Sequence, residues 1–292
     1  MGSDRAVPSF PELFAPVFVI LLLAIGLPSN VISFIVWTKG KESKSLGCSM
    51  YFRLLTLSDA FSLLVCFTWV NFQYYVPHNL LFFFIFFSPS LSTWLILCMS
   101  IERYMSLIYP FSFRPAGARI RALICFVSLI LILTGINSHV FIYDRIYFSI
   151  WYEIASLWTL CIIPFVLINL TNILILIKLC KMRQQRLGQS RRPNPVTSFT
   201  KIAITSCVLQ TISIVPLTIM LLAIFDYLDK DILSMSGIDT IISSTLYLNN
   251  CFNVFIYYIN SSIFRSDFKN IFCCCCRRNT IHQSNATTNT AV

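Results

Sequence analysis

Of the chain's 292 residues, 57% are hydrophobic and only 12% are charged, with a formal net charge of +10. A water-soluble fold of that length could not cover so many large apolar side chains with so few charges, so lipid must solvate much of the surface. The positive excess raises nucleic-acid binding as a function, and where the basic residues fall then makes it unnecessary.

A bilayer core of about 30 Å takes roughly 20 consecutive apolar residues of helix. Seven runs of that kind stand between charged or Pro/Gly/Asn-rich breaks, at 13–37, 48–73, 79–107, 120–142, 151–178, 199–225 and 236–260. Residues 1–12 precede them. The first run is too long for a signal peptide, has no basic leader, and holds Pro28 and Asn30, so it reads as the first span. The second carries Asp59 in Leu57-Ser58-Asp59, and the third carries Ser92 and ends in Glu102-Arg103-Tyr104, followed by Pro110. The fifth and sixth hold Pro164 and Pro216, and the seventh holds Asn249, Asn250, Asn253 and Tyr257. An amphipathic stretch at 261–272 follows, then a polar tail at 273–292 that begins with four cysteines.

With the N-terminus outside, all but three of the 22 basic residues lie on the inner side, leaving Arg5, Arg145 and Lys230 opposite them. This is the positive-inside pattern, with the basic side toward the cytoplasm and the anionic inner leaflet. The outer side carries Asp4, Glu12, Asp144, Glu153, Asp226, Asp229, Asp231 and Asp239. That balance favours a cationic ligand, or simply reflects how few basic residues outer loops retain.

An ionisable group at mid-bilayer costs several kcal/mol unless paired or wet, so Asp59, the one acid well inside a span, is the first functional candidate. Asn30, Ser92, Asn249, Asn250 and Asn253 offer polar partners at similar depth, and Asn249 and Asn253 are four apart on one expected helix face. An acid ringed by hydroxyl and amide oxygens suits a hard cation such as Na⁺ with water. A hydrogen-bonded polar core that fixes helix packing fits the same residues, and both readings stay open. Arg103 keeps its proton in any protein and must pair with the adjacent acid or with neighbouring helices. By itself such an arginine reads as one that snorkels to the interface.

Taken together, Gly26 and Asn30, Leu57-Ser58-Asp59, Ser92, Glu102-Arg103-Tyr104 with Pro110, Pro164, Pro216, and Asn249 with Asn253-Val254-Phe255-Ile256-Tyr257 resemble the rhodopsin-like (class A) G-protein-coupled receptor family across nearly the whole chain. Within the family, the first, second and seventh spans look most like invertebrate neuropeptide-type or orphan receptors. The resemblance implies an all-α membrane protein, a seven-transmembrane bundle with a short amphipathic cytoplasmic eighth helix around Phe264-Arg265 and Phe268. It implies a sodium pocket of Asp59, Ser92, Asn249 and Asn253. It also implies a G-protein switch in Glu102, Arg103 and Tyr104, inner elements Asn253 and Tyr257, and kinks at Pro164 and Pro216.

Several positions depart from the family pattern. The cysteine at the outer end of the third span and its partner in the second outer loop are missing, since residues 76–79 and 143–150 hold none. Ile214 occupies the aromatic switch position before Pro216, Val254 replaces the expected proline, Asn172 a usual tyrosine, and the fourth span has no mid-membrane tryptophan. The amine-receptor aspartate position is Ile85 and the retinal-lysine position is Tyr247, so neither ligand class is expected. That leaves a peptide or other extracellular ligand, with Gln73, Phe86, Ser243 and Tyr247 as pocket-wall candidates or ordinary packing aromatics.

Cys273, Cys274, Cys275 and Cys276 beside Arg277-Arg278 suit S-palmitoylation at the membrane surface better than a tetrahedral metal site. The tail ends in Thr290-Ala291-Val292, a form that a PDZ protein can accept as an added strand. No catalytic set is legible, and His78, His139 and His282 are scattered. The expectation is a plasma-membrane, multi-pass receptor that passes an extracellular ligand's signal to a heterotrimeric G protein, without an enzyme's chemistry. The alternatives are a small polytopic transporter or channel, or an atypical, decoy or chemosensory receptor without a peptide ligand.

Overall fold

The computed structural model of the chain describes residues 10–109, 111–113, 115–141, 159, 162–185, 201–202, 205–206, 208–209, 212–213, 244–245 and 247–273. Every regular element among the described residues is helical. In chain order they are α1 (Phe10–Lys39), α2 (Lys41–Ser45), α3 (Ser49–Phe72), α4 (His78–Ile108), α5 (Pro115–Asn137), a 3₁₀ turn (Ser138–Phe141), α6 (Ile163–Gln185), α7 (Leu248–Cys251), α8 (Asn253–Asn260) and α9 (Ser262–Phe272). Five of these, α1, α3, α4, α5 and α6, are long and apolar enough to cross a membrane, and they overlap the first five predicted spans. The chain is a helical, multi-pass membrane protein. The sixth run is described only in pairs of residues between 201 and 213, so Pro216 and Ile214 lie outside the described residues; the seventh is described at 244–245 and from 247 onward.

Helix ends differ from the apolar runs for local reasons. α5 starts at Pro115, five residues ahead of the run, because a proline costs nothing in a first turn whose N–H groups have no intrahelical partner. Arg119 and Arg121, good helix formers, carry the helix across the gap. α6 likewise continues past Lys178 to Gln185.

α3 and α4 form the centre. About half of their most apolar stretches is buried, 50% and 56%, against 22% in α5 and α6, whose outward Ile124, Leu131, Val166 and Leu170 present an apolar surface suited to lipid. The end of the bundle that carries Lys39, Arg53 and Arg121, here called the basic end, is closed by rings. Trp37 of α1 stacks on Phe52 of α3 at 4.3 Å, and both meet Tyr257 of α8, at 5.6 and 5.1 Å. Phe264 of α9 completes the cluster, 5.5 Å from Trp37 and from Tyr257. All four are essentially fully buried, and edge-to-face ring pairs add about 0.5–1.5 kcal/mol each beyond area burial.

The stretch expected at 261–272 is α9, with the Ser261 hydroxyl accepting from the Phe264 N–H as its cap. Its Phe264, Phe268 and Phe272 line one face, and Phe268 meets Tyr258 at 5.4 Å. A second tie comes from Asp267, an acid only 2% exposed. Its carboxylate accepts from the backbone N–H of Ser43 at 2.6 Å and of Glu42 at 3.4 Å, serving as the cap that the first turn of α2 lacks. Gly40 makes room for it, since a Cβ there would collide with the Asp267 carboxylate.

Candidate functional site: a polar centre around Asp59

Asp59 lies midway along α3 and is 1% exposed. Its Oδ2 accepts a hydrogen bond of 2.5 Å from Asn253 Nδ2 at the start of α8. The same amide nitrogen donates to Asn30 Oδ1 at 2.7 Å. Asn30 in turn donates through Nδ2 to the Gly26 carbonyl at 2.9 Å and to the Asn250 carbonyl at 2.7 Å. The Ser92 hydroxyl of α4 lies against the Asp59 carboxyl and 2.9 Å from Ser58 Oγ. Side chains of α4 and α8 therefore meet at the Asp59 carboxyl group of α3, and Asn30 of α1 joins them through Asn253. In a medium of low polarity each such bond counts for more than at a surface, because water cannot replace a lost partner.

The seam that brings α1 to the seventh run is close-packed. A Cβ on Gly26 would sit 3.1 Å from the Cys251 Cα, so any larger residue would force the seam to give by a few tenths of an ångström. The Cys251 thiol bonds to the Leu22 carbonyl at 3.3 Å on the same seam.

A second layer of oxygens lies one turn from the first. Ser62 follows Asp59 by three residues, Ser88 precedes Ser92 by four, and Asn249 precedes Asn253 by four, each step leading away from the basic end. Ser62 and Ser88 are fully buried and Asn249 is 8% exposed. Ser62 Oγ, Ser88 Oγ, Asn249 Oδ1 and Asp59 Oδ1 lack a hydrogen-bond partner of good geometry among the described residues. All four are hard oxygen atoms, the donor type that a small hydrated cation takes.

No protein-family model matches the chain, and no curated protein matches its sequence.

Asn249 and Asn253, expected on one helix face, fall in two helices, because Phe252 between them leaves the helical path. Asn253 reaches Asp59, whereas Asn249 belongs to the second layer. Pro164 is the second residue of α6, and Ile162, just ahead of the helix, has a wide π-type turn, so Pro164 lies beside a junction of helix types. Among the described residues Pro16, Pro28 and Pro89 are the prolines inside helices.

At the basic end Glu102 directs both carboxylate oxygens to Arg121 of α5. Arg121 Nε donates at 3.0 and 3.1 Å and Nη2 at 2.5 Å, while its guanidinium lies 4.9 Å from the Phe113 ring centroid. A forked pair of this kind is the strongest geometry an arginine and a carboxylate can adopt. Arg103 and Tyr104, next on α4, are half-buried, and Tyr257 is locked in the ring cluster. In the sequence Arg121 is one of many basic residues on the inner side, and its position 19 residues after Glu102, at the start of the next span, is the signal for the pair.

Of the pocket-wall candidates, Tyr247 is 3% exposed, and its hydroxyl donates to the Ile85 carbonyl at 3.4 Å. Phe86 is the last ring of a ladder with Phe82 and His78 that also touches Trp69. Gln73 stands half-buried at the end of α3, and Ser243 lies outside the described residues. Cys273, which ends α9, is exposed and free, while Cys274, Cys275, Cys276 and the tail lie outside the described residues. The other described cysteines, Cys48, Cys66, Cys98, Cys125, Cys180 and Cys251, are also free thiols.

Proposed function

We propose that the chain is a rhodopsin-like receptor: a seven-span bundle in the plasma membrane, N-terminus outside, that answers an extracellular ligand, a peptide in our reading, by admitting a heterotrimeric G protein at its basic end. The observation that carries the reading is the convergence of Ser92 and Asn253 on Asp59, with Asn30 joined to them through Asn253. Asp59, Ser92 and Asn253, together with Asn249, are the residues that the resemblance assigns to one pocket, and Asp59 and Asn253 lie 194 residues apart in the chain. A second support is Tyr247 against Ile85, two positions that the resemblance assigns to ligand contact from different spans.

In this reading Asp59 and its two layers of oxygens hold a sodium ion that favours the resting arrangement. Arg103, Tyr104 and the exposed Phe111 face the G protein, with Glu102 and Arg121 fixing the rim beside them. Tyr257 must leave its ring cluster for the inner face to open. Cys273 and the three cysteines after it take palmitoyl chains that hold α9 to the inner leaflet, and the tail end docks a PDZ protein.

The test is guanine-nucleotide exchange by an added heterotrimer on the full chain in lipid nanodiscs, screened over a peptide library. At least one peptide accelerates exchange on the native chain and none does on Arg103→Ala, which folds equally well. Ligand capture without exchange on any G protein would make the protein an atypical or decoy receptor. Tracer flux in proteoliposomes without exchange would make it a transporter or channel.

A further inference from the structure

We infer that Ser29 does for the seventh predicted span what a proline would otherwise do: its hydroxyl holds open the backbone between Asn250 and Val254, and so aims Asn253 at Asp59. In an uninterrupted α-helix the Val254 N–H would donate to the Asn250 carbonyl. Here it donates to Ser29 Oγ at 3.0 Å, and the Asn250 carbonyl accepts from Asn30 Nδ2 at 2.7 Å. Adjacent residues of α1 therefore satisfy both halves of one opened helical bond. The ladder resumes at once, with Ile256 N–H on the Phe252 carbonyl at 2.9 Å.

Nothing local accounts for the interruption. Residues 247–260 contain neither proline nor glycine. Helix breaks without those residues arise at π-bulges or where a side chain or water enters the backbone ladder, and here the side chains of Ser29 and Asn30 enter it. Ser29 and Asn30 are 3% and 1% exposed, so the insertion is shielded from water and an orphaned N–H there would be costly. Pro28, just before them in α1, has no N–H and leaves the carbonyl four residues back without its helical partner, which loosens α1 at the contact.

The device differs from a proline in one respect. Val254 keeps its N–H, so when α1 withdraws the Asn250–Val254 bond can close and rotate Asn253 away from Asp59. The hinge has two satisfied states where a proline has one. Ser29 is thus a positioning residue for Asn253, and the inference rests on backbone geometry whatever the chain transduces.

The experiment is thermal unfolding of the full chain in nanodiscs for Ser29→Ala, Ser29→Thr and Ser29→Val, with Ser29→Ala repeated in a Val254→Pro background. Ser29→Ala and Ser29→Val lower the midpoint by about 2–4 °C, the shift expected for one lost buried hydrogen bond in a chain of this size. Ser29→Thr, equal in shape to valine but with the hydroxyl, restores it. With Val254→Pro no N–H is left to satisfy, and the Ser29→Ala loss vanishes. Equal losses in both backgrounds, or the same midpoint for the threonine and valine variants, overturn the inference. If Val254→Pro does not fold, the threonine and valine contrast decides.

Discussion

Asp59 and Glu102 are both carboxyl groups on the packed faces of the two central helices, and the chain partners them in opposite ways. Asp59, 1% exposed, is met by neutral amide and hydroxyl groups from two other helices, with Asn30 of a third bonded to Asn253 behind them. Glu102, whose side chain is 11% exposed, is met by one arginine of the next helix. A neutral cluster binds only when every contributing helix is in place, so it reports on the whole bundle. An ion pair between consecutive helices needs just those two, and solvent at the rim weakens it. The centre is where a change of helix arrangement is felt, and the rim is where two helices are held in register.

Substitutions can break that contrast in graded steps. Asn30→Leu removes three hydrogen bonds and strands the Asn250 carbonyl, and it is expected to cost about 3 kcal/mol by thermal or denaturant unfolding in nanodiscs. Asp267→Ala, which uncaps α2 and loosens α9 without touching the centre, is expected to cost about 1–2 kcal/mol, with Asp267→Asn recovering part of it. Spin labels on α9 would show the added motion. Glu102→Gln should cost under about 1 kcal/mol, and the cost should shrink as salt is raised, unlike that of Asn30→Leu. Sodium sharpens the comparison from the other side. Sodium chloride stabilises the native chain more than choline chloride of equal strength, and Asp59→Asn abolishes that difference; a difference retained in Asp59→Asn would remove the cation from the account.

Much of this was legible before any coordinates. The first five spans follow from length and apolarity, and Asp59, Asn30, Ser92 and Asn253 were marked because polar groups within a span demand partners. What escaped was tertiary. Asp267 in an amphipathic stretch reads as part of a solvated face, and only the approach of Gly40 reveals it as a cap for another helix. The residues at 249 and 253 read as one turn apart on a continuous helix, and that reading does not foresee the break at Phe252, where Ser29, more than 220 residues earlier, takes the Val254 N–H. Ser62 and Ser88 carry no signal in the sequence, since serines in apolar helices usually bond back to their own carbonyls, as Ser90 and Ser100 do here.

The most direct test of the claim that distant spans converge on one carboxyl is a double-mutant cycle between Asp59→Leu and Asn253→Leu, read by unfolding in nanodiscs. The geometry predicts a coupling of about 1.5 kcal/mol or more, because each substitution alone removes the same bond. Losses that add to within about 0.5 kcal/mol would mean the two side chains do not meet, and the polar centre would not exist as described.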